Sequence, residues 1–170
     1  MTVLRLIGRP WKASGLFVLI LPVLFVVGLV IGYYAKAAMG GEQAAKTLYD
    51  RLGGVPKIAA MMDDLIDRLY VNPIINENPA VQAAHLRTHP AVPKFMFTEY
   101  FCQATGGPCT YIGRSMVEAH DGLSISEAEW KVMMAEFQKT LNKFKVPEAE
   151  RRELAAIVDY TKEDIVASPK

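Results

Sequence analysis

The sequence predicts an all-α chain, with a single transmembrane helix followed by a small helical domain. The first observation is an uncharged run of 20 residues, 15–34. At ~1.5 Å rise per residue, a helix of that length spans the ~30 Å hydrocarbon core of a bilayer. The second is downstream: apolar residues recur at three- and four-residue steps in several separate runs, and no strand-like alternation competes with them.

The flanks of the apolar run fit a spanning helix. Arg5, Arg9 and Lys12 precede it beside Trp11, and Tyr33 and Tyr34 close it, which puts aromatic rings at both expected interfaces. A cleaved secretory signal is the rival reading, because Ala35, Ala37 and Ala38 are small, but signal cores run only ~7–15 residues. Residues 1–36 are therefore expected to be a cytoplasmic stub and a retained anchor of the bacterial inner membrane. The basic stub puts the remainder on the periplasmic side, although Lys36 and Lys46 weaken the charge contrast. Gly28 and Gly32 share one helix face and would admit a second helix closely, as in a homodimer or a membrane-complex partner.

Residues 37–46 read as a linker and 47–168 as the folded domain. Ile58, Met61, Met62, Leu65 and Leu69 mark a first helix that Asn72-Pro73 ends. Residues 73–92 carry Pro73, Pro79 and Pro90 and no sustained period, with Asn78-Pro79 suited to open a short helix through Ala84. Pro93 suits the first position of a helix carrying Phe97, Tyr100, Phe101 and Ala104 on one face, stopped by Gly106-Gly107-Pro108. A short segment ends at His120, and Ser126 to Glu129 is a capping box. The helix it opens holds Trp130, Met133, Met134, Phe137, Leu141 and Phe144, and Pro147 opens the last, with Leu154, Ile157, Val158 and Ile165 inside.

About 130 residues beyond the anchor suffice for a core without staples. The net charge is +1 with acids and bases interspersed, so nucleic acid is not an expected partner. His85, His89 and His120 and the cysteines Cys102 and Cys109 form neither a C-x-x-C pair nor a C-x-x-C-H motif, which argues against zinc and covalent haem. The two cysteines flank the glycine turn and would pair in an oxidising compartment if their geometry permits.

Four segments occur in a telling order: Leu48-Tyr49-Asp50-Arg51-Leu52-Gly53-Gly54, Gly106-Gly107-Pro108, Tyr111-Ile112-Gly113-Arg114-Ser115-Met116, and Glu118-Ala119-His120 followed by Gly122-Leu123-Ser124-Ile125-Ser126. This order and spacing resemble the group I truncated haemoglobins over about residues 47–165. The resemblance implies an abbreviated, two-on-two globin fold holding non-covalent haem b, with His120 as proximal iron ligand. It also implies that Tyr100 and Phe101 pack against haem and that Tyr111 and Met116 lie on its proximal side, although plain core packing explains these residues as well.

One part of the family pattern is missing. Many members stabilise bound oxygen with a tyrosine and a glutamine, whereas the matching positions here are Ile66 and Phe97, which cannot donate a hydrogen bond. A donor to a charged group contributes roughly 1.5–3 kcal/mol, so its loss should speed oxygen release about tenfold or more. Residues 73–92 are also longer than the family pattern, and they contain His85 and His89. Either could serve as a sixth ligand or sit in a polar loop, and Met96 is a further soft donor.

The implied function is a membrane-anchored haem protein reversibly binding a diatomic gas, oxygen or nitric oxide. The alternatives are a nitric oxide dioxygenase, converting nitric oxide and dioxygen to nitrate, and an electron-transfer or structural haem subunit of a membrane complex. The apolar distal pair argues against the dioxygenase.

Overall fold

The computed structural model describes residues 46–167. The expected anchor over residues 15–34, including Gly28 and Gly32, lies outside the described residues. Among the described residues, no helix is long and apolar enough to cross a membrane.

The chain enters through a capping box, in which the Thr47 hydroxyl and the Asp50 carboxylate satisfy each other's backbone amides. This opens α1 (Leu48–Leu52), which Gly53 ends in the left-handed region at φ 93°. There follow α2 (Gly54–Val71), α3 (Pro73–Asn76), α4 (Pro79–Arg87), α5 (Ala91–Ala104), α6 (Met116–His120), α7 (Glu127–Lys143), α8 (Glu148–Asp159) and α9 (Lys162–Ile165). The all-α expectation holds, the sole exception among the described residues being an isolated parallel bridge between Ile125 and Val166.

α2 is the central element because its apolar residues face two neighbours. It packs most extensively on α5 and next on α7. Ile58, Met61, Met62 and Leu65 meet Phe101, Phe137, Leu141 and Leu154 in the core, which also includes Leu48. Burying each such side chain contributes ~1.5–3 kcal/mol. A polar clasp joins α2 to α7 beside this core: Asp64 accepts from the Thr140 hydroxyl at 2.7 Å, from Arg68 Nε at 2.7 Å and from Lys143. Burial would push the Asp64 carboxyl up, but these donors outweigh it and hold it at about 2.

Cys102 and Cys109 are joined in a disulfide with Cα atoms 5.7 Å apart, closing the turn after α5. Inside that ring, a Cβ on Gly107 would lie 2.4 Å from Tyr49 Cδ2 and 2.7 Å from the Cys102 carbonyl oxygen, so the turn closes only with glycine there.

The sequence expectations need five corrections. The stretch 73–92 is mostly helical: Asn72 and Asn78 each cap a helix with their side-chain oxygen, and α4 runs on to Arg87. α5 starts at Ala91 rather than Pro93, because an imino nitrogen is equally harmless anywhere among the first-turn amides that lack helical partners. Ile165 lies in a separate helix, since the helix ends at Asp159 and a turn follows, where the Thr161 hydroxyl donates to the Val158 carbonyl at 2.7 Å. In addition, Ala104 is exposed rather than aligned with the buried face of α5, and Phe144 caps α7 rather than lying within it.

Candidate functional site

α2, α5 and α7, together with α4 and the segment from Tyr111 to His120, line a cavity of about 560 Å³ that borders the core at Leu65, Phe101 and Phe137. That falls within the ~300–1,000 Å³ of small-molecule and cofactor pockets. Its lining is mainly apolar, with Ile66, Leu69, Val81, Phe97, Phe101, Trp130 and Met133 contributing. His120, Tyr100, Tyr111 and Met116 line the same space, so this one cavity brings together the seven residues that the resemblance marks for the haem pocket.

His120 owes its position to local chemistry. Ser115 and Glu118 form a capping box that opens α6, and His120 is the last residue of that single turn. Its Nδ1 is 2.9 Å from the Met116 carbonyl oxygen. A carbonyl can only accept, so Nδ1 carries the hydrogen and Nε2 keeps its lone pair. Burial pushes the imidazole pKa down, against the opposing effect of the Met116 bond. The ring is thus neutral at pH 7 with a free nitrogen, the state in which histidine binds metals.

The approach to α6 is braced by Tyr111. Its amide donates to the Gln103 side-chain oxygen at 2.7 Å and its hydroxyl donates to the Arg114 carbonyl at 2.8 Å. Tyr100 meets Tyr111 edge-on with centroids 5.6 Å apart, and Phe101 likewise at 5.7 Å.

The other donors predicted from the sequence separate clearly. His85 and Met96 line the cavity, whereas His89 does not. His89 is exposed, its Nδ1 accepting from the Ala91 amide at 3.3 Å at the start of α5. His85 is half-buried on α4 rather than in a polar loop.

Sequence reasoning passed over several lining residues. Tyr70 adds a hydroxyl, but that hydroxyl donates to the Thr88 carbonyl at 3.1 Å. Glu129 contributes a carboxylate whose Oε2 closes the capping box with Ser126, while its Oε1 is buried without a hydrogen-bond partner among the described residues. Only the capping role of Glu129 was legible, because nothing in the sequence places the start of α7 against a cavity.

The family model for bacterial-like globins matches residues 47–167. The chain belongs to the bacterial-like globin family. A relative of this globin, the group 1 truncated hemoglobin of Tetrahymena pyriformis, is 22% identical over 130 residues, covering 71% of this chain and 95% of the relative. The crystal structure of the truncated hemoglobin from Tetrahymena pyriformis in its Fe(III) form matches with a TM-score of 0.61 at 22% identity, over 72% of this globin and 100% of that chain. A crystal structure of a mutant of the same protein gives the same values. The architecture is therefore the truncated globin fold.

Globin membership implies a haem cofactor, and the residues present fit one. The cavity is apolar where a porphyrin needs burial, it carries a neutral imidazole with a free Nε2, and Arg114 on its lining offers a cation to an acidic edge.

Proposed function

We propose that this globin binds a diatomic gas, oxygen or nitric oxide, reversibly through haem b whose iron is held by His120. The observation that carries this reading is the His120 imidazole on an apolar cavity, its Nδ1 committed to Met116 and its Nε2 free. Haem supplies an iron centre able to take up a small gas. Met116 fixes the tautomer and orientation of His120, and the main-chain bond cannot be removed by changing a side chain. Phe97, Phe101 and Ile66 exclude water from the cavity, and Tyr100 and Tyr111 brace the wall leading to His120. Arg114 would face the haem's acidic groups. Ile66 and Phe97 offer no hydrogen to an oxygen-derived negative charge, which favours nitric oxide and carbon monoxide relative to oxygen.

The proposal includes a single membrane span over residues 15–34 with the globin domain in the periplasm. The Cys102–Cys109 disulfide supports that side, because such bonds persist in oxidising compartments. The test is the visible spectrum of the full chain reconstituted with ferric protoporphyrin IX, reduced, then exposed to carbon monoxide and oxygen. A Soret band that shifts with each gas and returns on its removal supports gas binding. A reconstituted protein whose spectrum ignores both gases contradicts it.

A further inference from the structure

We propose that His85 is a second ligand to the haem iron and competes with the incoming gas for the same coordination position. This rests on the reading that His120 holds the iron, and it selects His85 from the three sixth-ligand candidates, His85, His89 and Met96, that the sequence left open.

The argument starts from Asn76. Its Nδ2 donates to two main-chain carbonyls, that of Tyr70 at 2.9 Å and that of Asn72 at 3.0 Å, which uses both amide hydrogens and fixes which end of the amide is oxygen. Asn76 Oδ1 lies 2.9 Å from His85 Nδ1. An amide oxygen only accepts, so His85 Nδ1 carries the hydrogen and its Nε2 holds an unshared pair. The ring is held in plane as well as in tautomer, because it stacks on Tyr70 with centroids 4.1 Å apart and 18° between planes. Burial pushes its pKa down, which keeps the ring neutral.

His85 therefore repeats the chemical state of His120 from a different helix on the same cavity. A neutral imidazole whose only hydrogen is committed to Asn76 cannot donate to a bound gas, yet it can bind a metal. Met96 also reaches the cavity, but no side-chain hydrogen bond among the described residues fixes its thioether. With an internal ligand, the apparent gas affinity is the intrinsic affinity multiplied by the fraction of time the position is open.

The experiment reads coordination directly on the full chain reconstituted with protoporphyrin IX iron. The unmutated ferric protein is expected to be six-coordinate and low-spin by visible and electron paramagnetic resonance spectra. His85→Ala is expected to keep stoichiometric haem and become high-spin, while Met96→Leu leaves the spectra unchanged. If His85 occupies the iron nine-tenths of the time, its removal raises apparent carbon monoxide affinity about tenfold. Should His85→Ala fail to fold, carbon monoxide mixing with the unmutated and Met96→Leu ferrous proteins decides: a binding rate that saturates with gas concentration in both supports an internal ligand other than Met96. A high-spin unmutated protein, a low-spin His85→Ala, a spectrum lost in Met96→Leu, or a rate rising linearly with gas concentration overturns the proposal while leaving the function of His120 intact. A chain that takes up no haem overturns the proposed function itself.

Discussion

His120 gives its Nδ1 hydrogen to a main-chain carbonyl one turn back in its own helix, whereas His85 gives its hydrogen to a side chain on the preceding helix. The first arrangement is local and hard to remove, since any residue at 116 supplies the same carbonyl. The second needs Asn76, the carbonyls of Tyr70 and Asn72, and the Tyr70 ring together. The walls behind them differ similarly. The His120 wall is framed by a disulfide, a glycine turn and a capping box, and the His85 wall by two short helices capped by asparagines. One wall is held by covalent and backbone constraints, the other by a network of side chains, so the two should respond to different perturbations.

The largest expected effect falls on the His120 wall. Replacing Cys102 and Cys109 by serine reopens a loop of sequence separation 7, which on chain entropy costs about 2.5 kcal/mol. Denaturant unfolding should show that loss, and hydrogen exchange should rise around residues 106–120 while residues 73–88 keep their protection. Equal loss of protection in both walls would erase the distinction.

Acid should act on the shared support instead. The Asp64 carboxyl is lowered from 3.8 to about 2 in the folded state, so its stabilisation is fully present above pH ~4 and is lost as pH falls through about 2. The loss amounts to about 2 kcal/mol, and Asp64→Asn should flatten this part of the stability profile. A profile unchanged by Asp64→Asn would show that the α2–α7 clasp contributes nothing.

A smaller effect tests whether the gas side lacks a donor. Ile66→Tyr should slow oxygen release roughly tenfold by supplying a hydroxyl to developing negative charge. No slowing would mean that position 66 does not face the gas. Comparable in size is Asn76→Ala, which leaves His85 Nδ1 and the Tyr70 and Asn72 carbonyls without their Asn76 partner and costs ~1–3 kcal/mol in thermal or chemical unfolding. A variant as stable as the parent would show that water replaces Asn76.

Much of the fold was legible because long amphipathic helices announce themselves by period: Ile58 to Leu69 on α2 and Trp130 to Leu141 on α7 did so. The stretch from Asn72 to Arg87 did not, because its helices are too short to show a period and its prolines read as breaks. Asn-Pro occurs twice there, and each time the asparagine caps two amides while proline takes the first helical position, a signal that was used only at Asn78. That His120, Ile66 and Phe97 share one cavity was legible from the resemblance. The support of His85 was not, since Asn76 and Tyr70 lie 9 and 15 residues away across helix breaks that only the fold brings together.

The central claim, that His120 holds the haem, is tested most directly by replacing it with glycine and supplying the missing ring from solution. Full-length His120→Gly should lose haem on gel filtration and retain it when the buffer contains imidazole, with the unmutated chain retaining haem in both buffers. Retention of stoichiometric haem by His120→Gly without imidazole, and with an unchanged spectrum, would contradict the account.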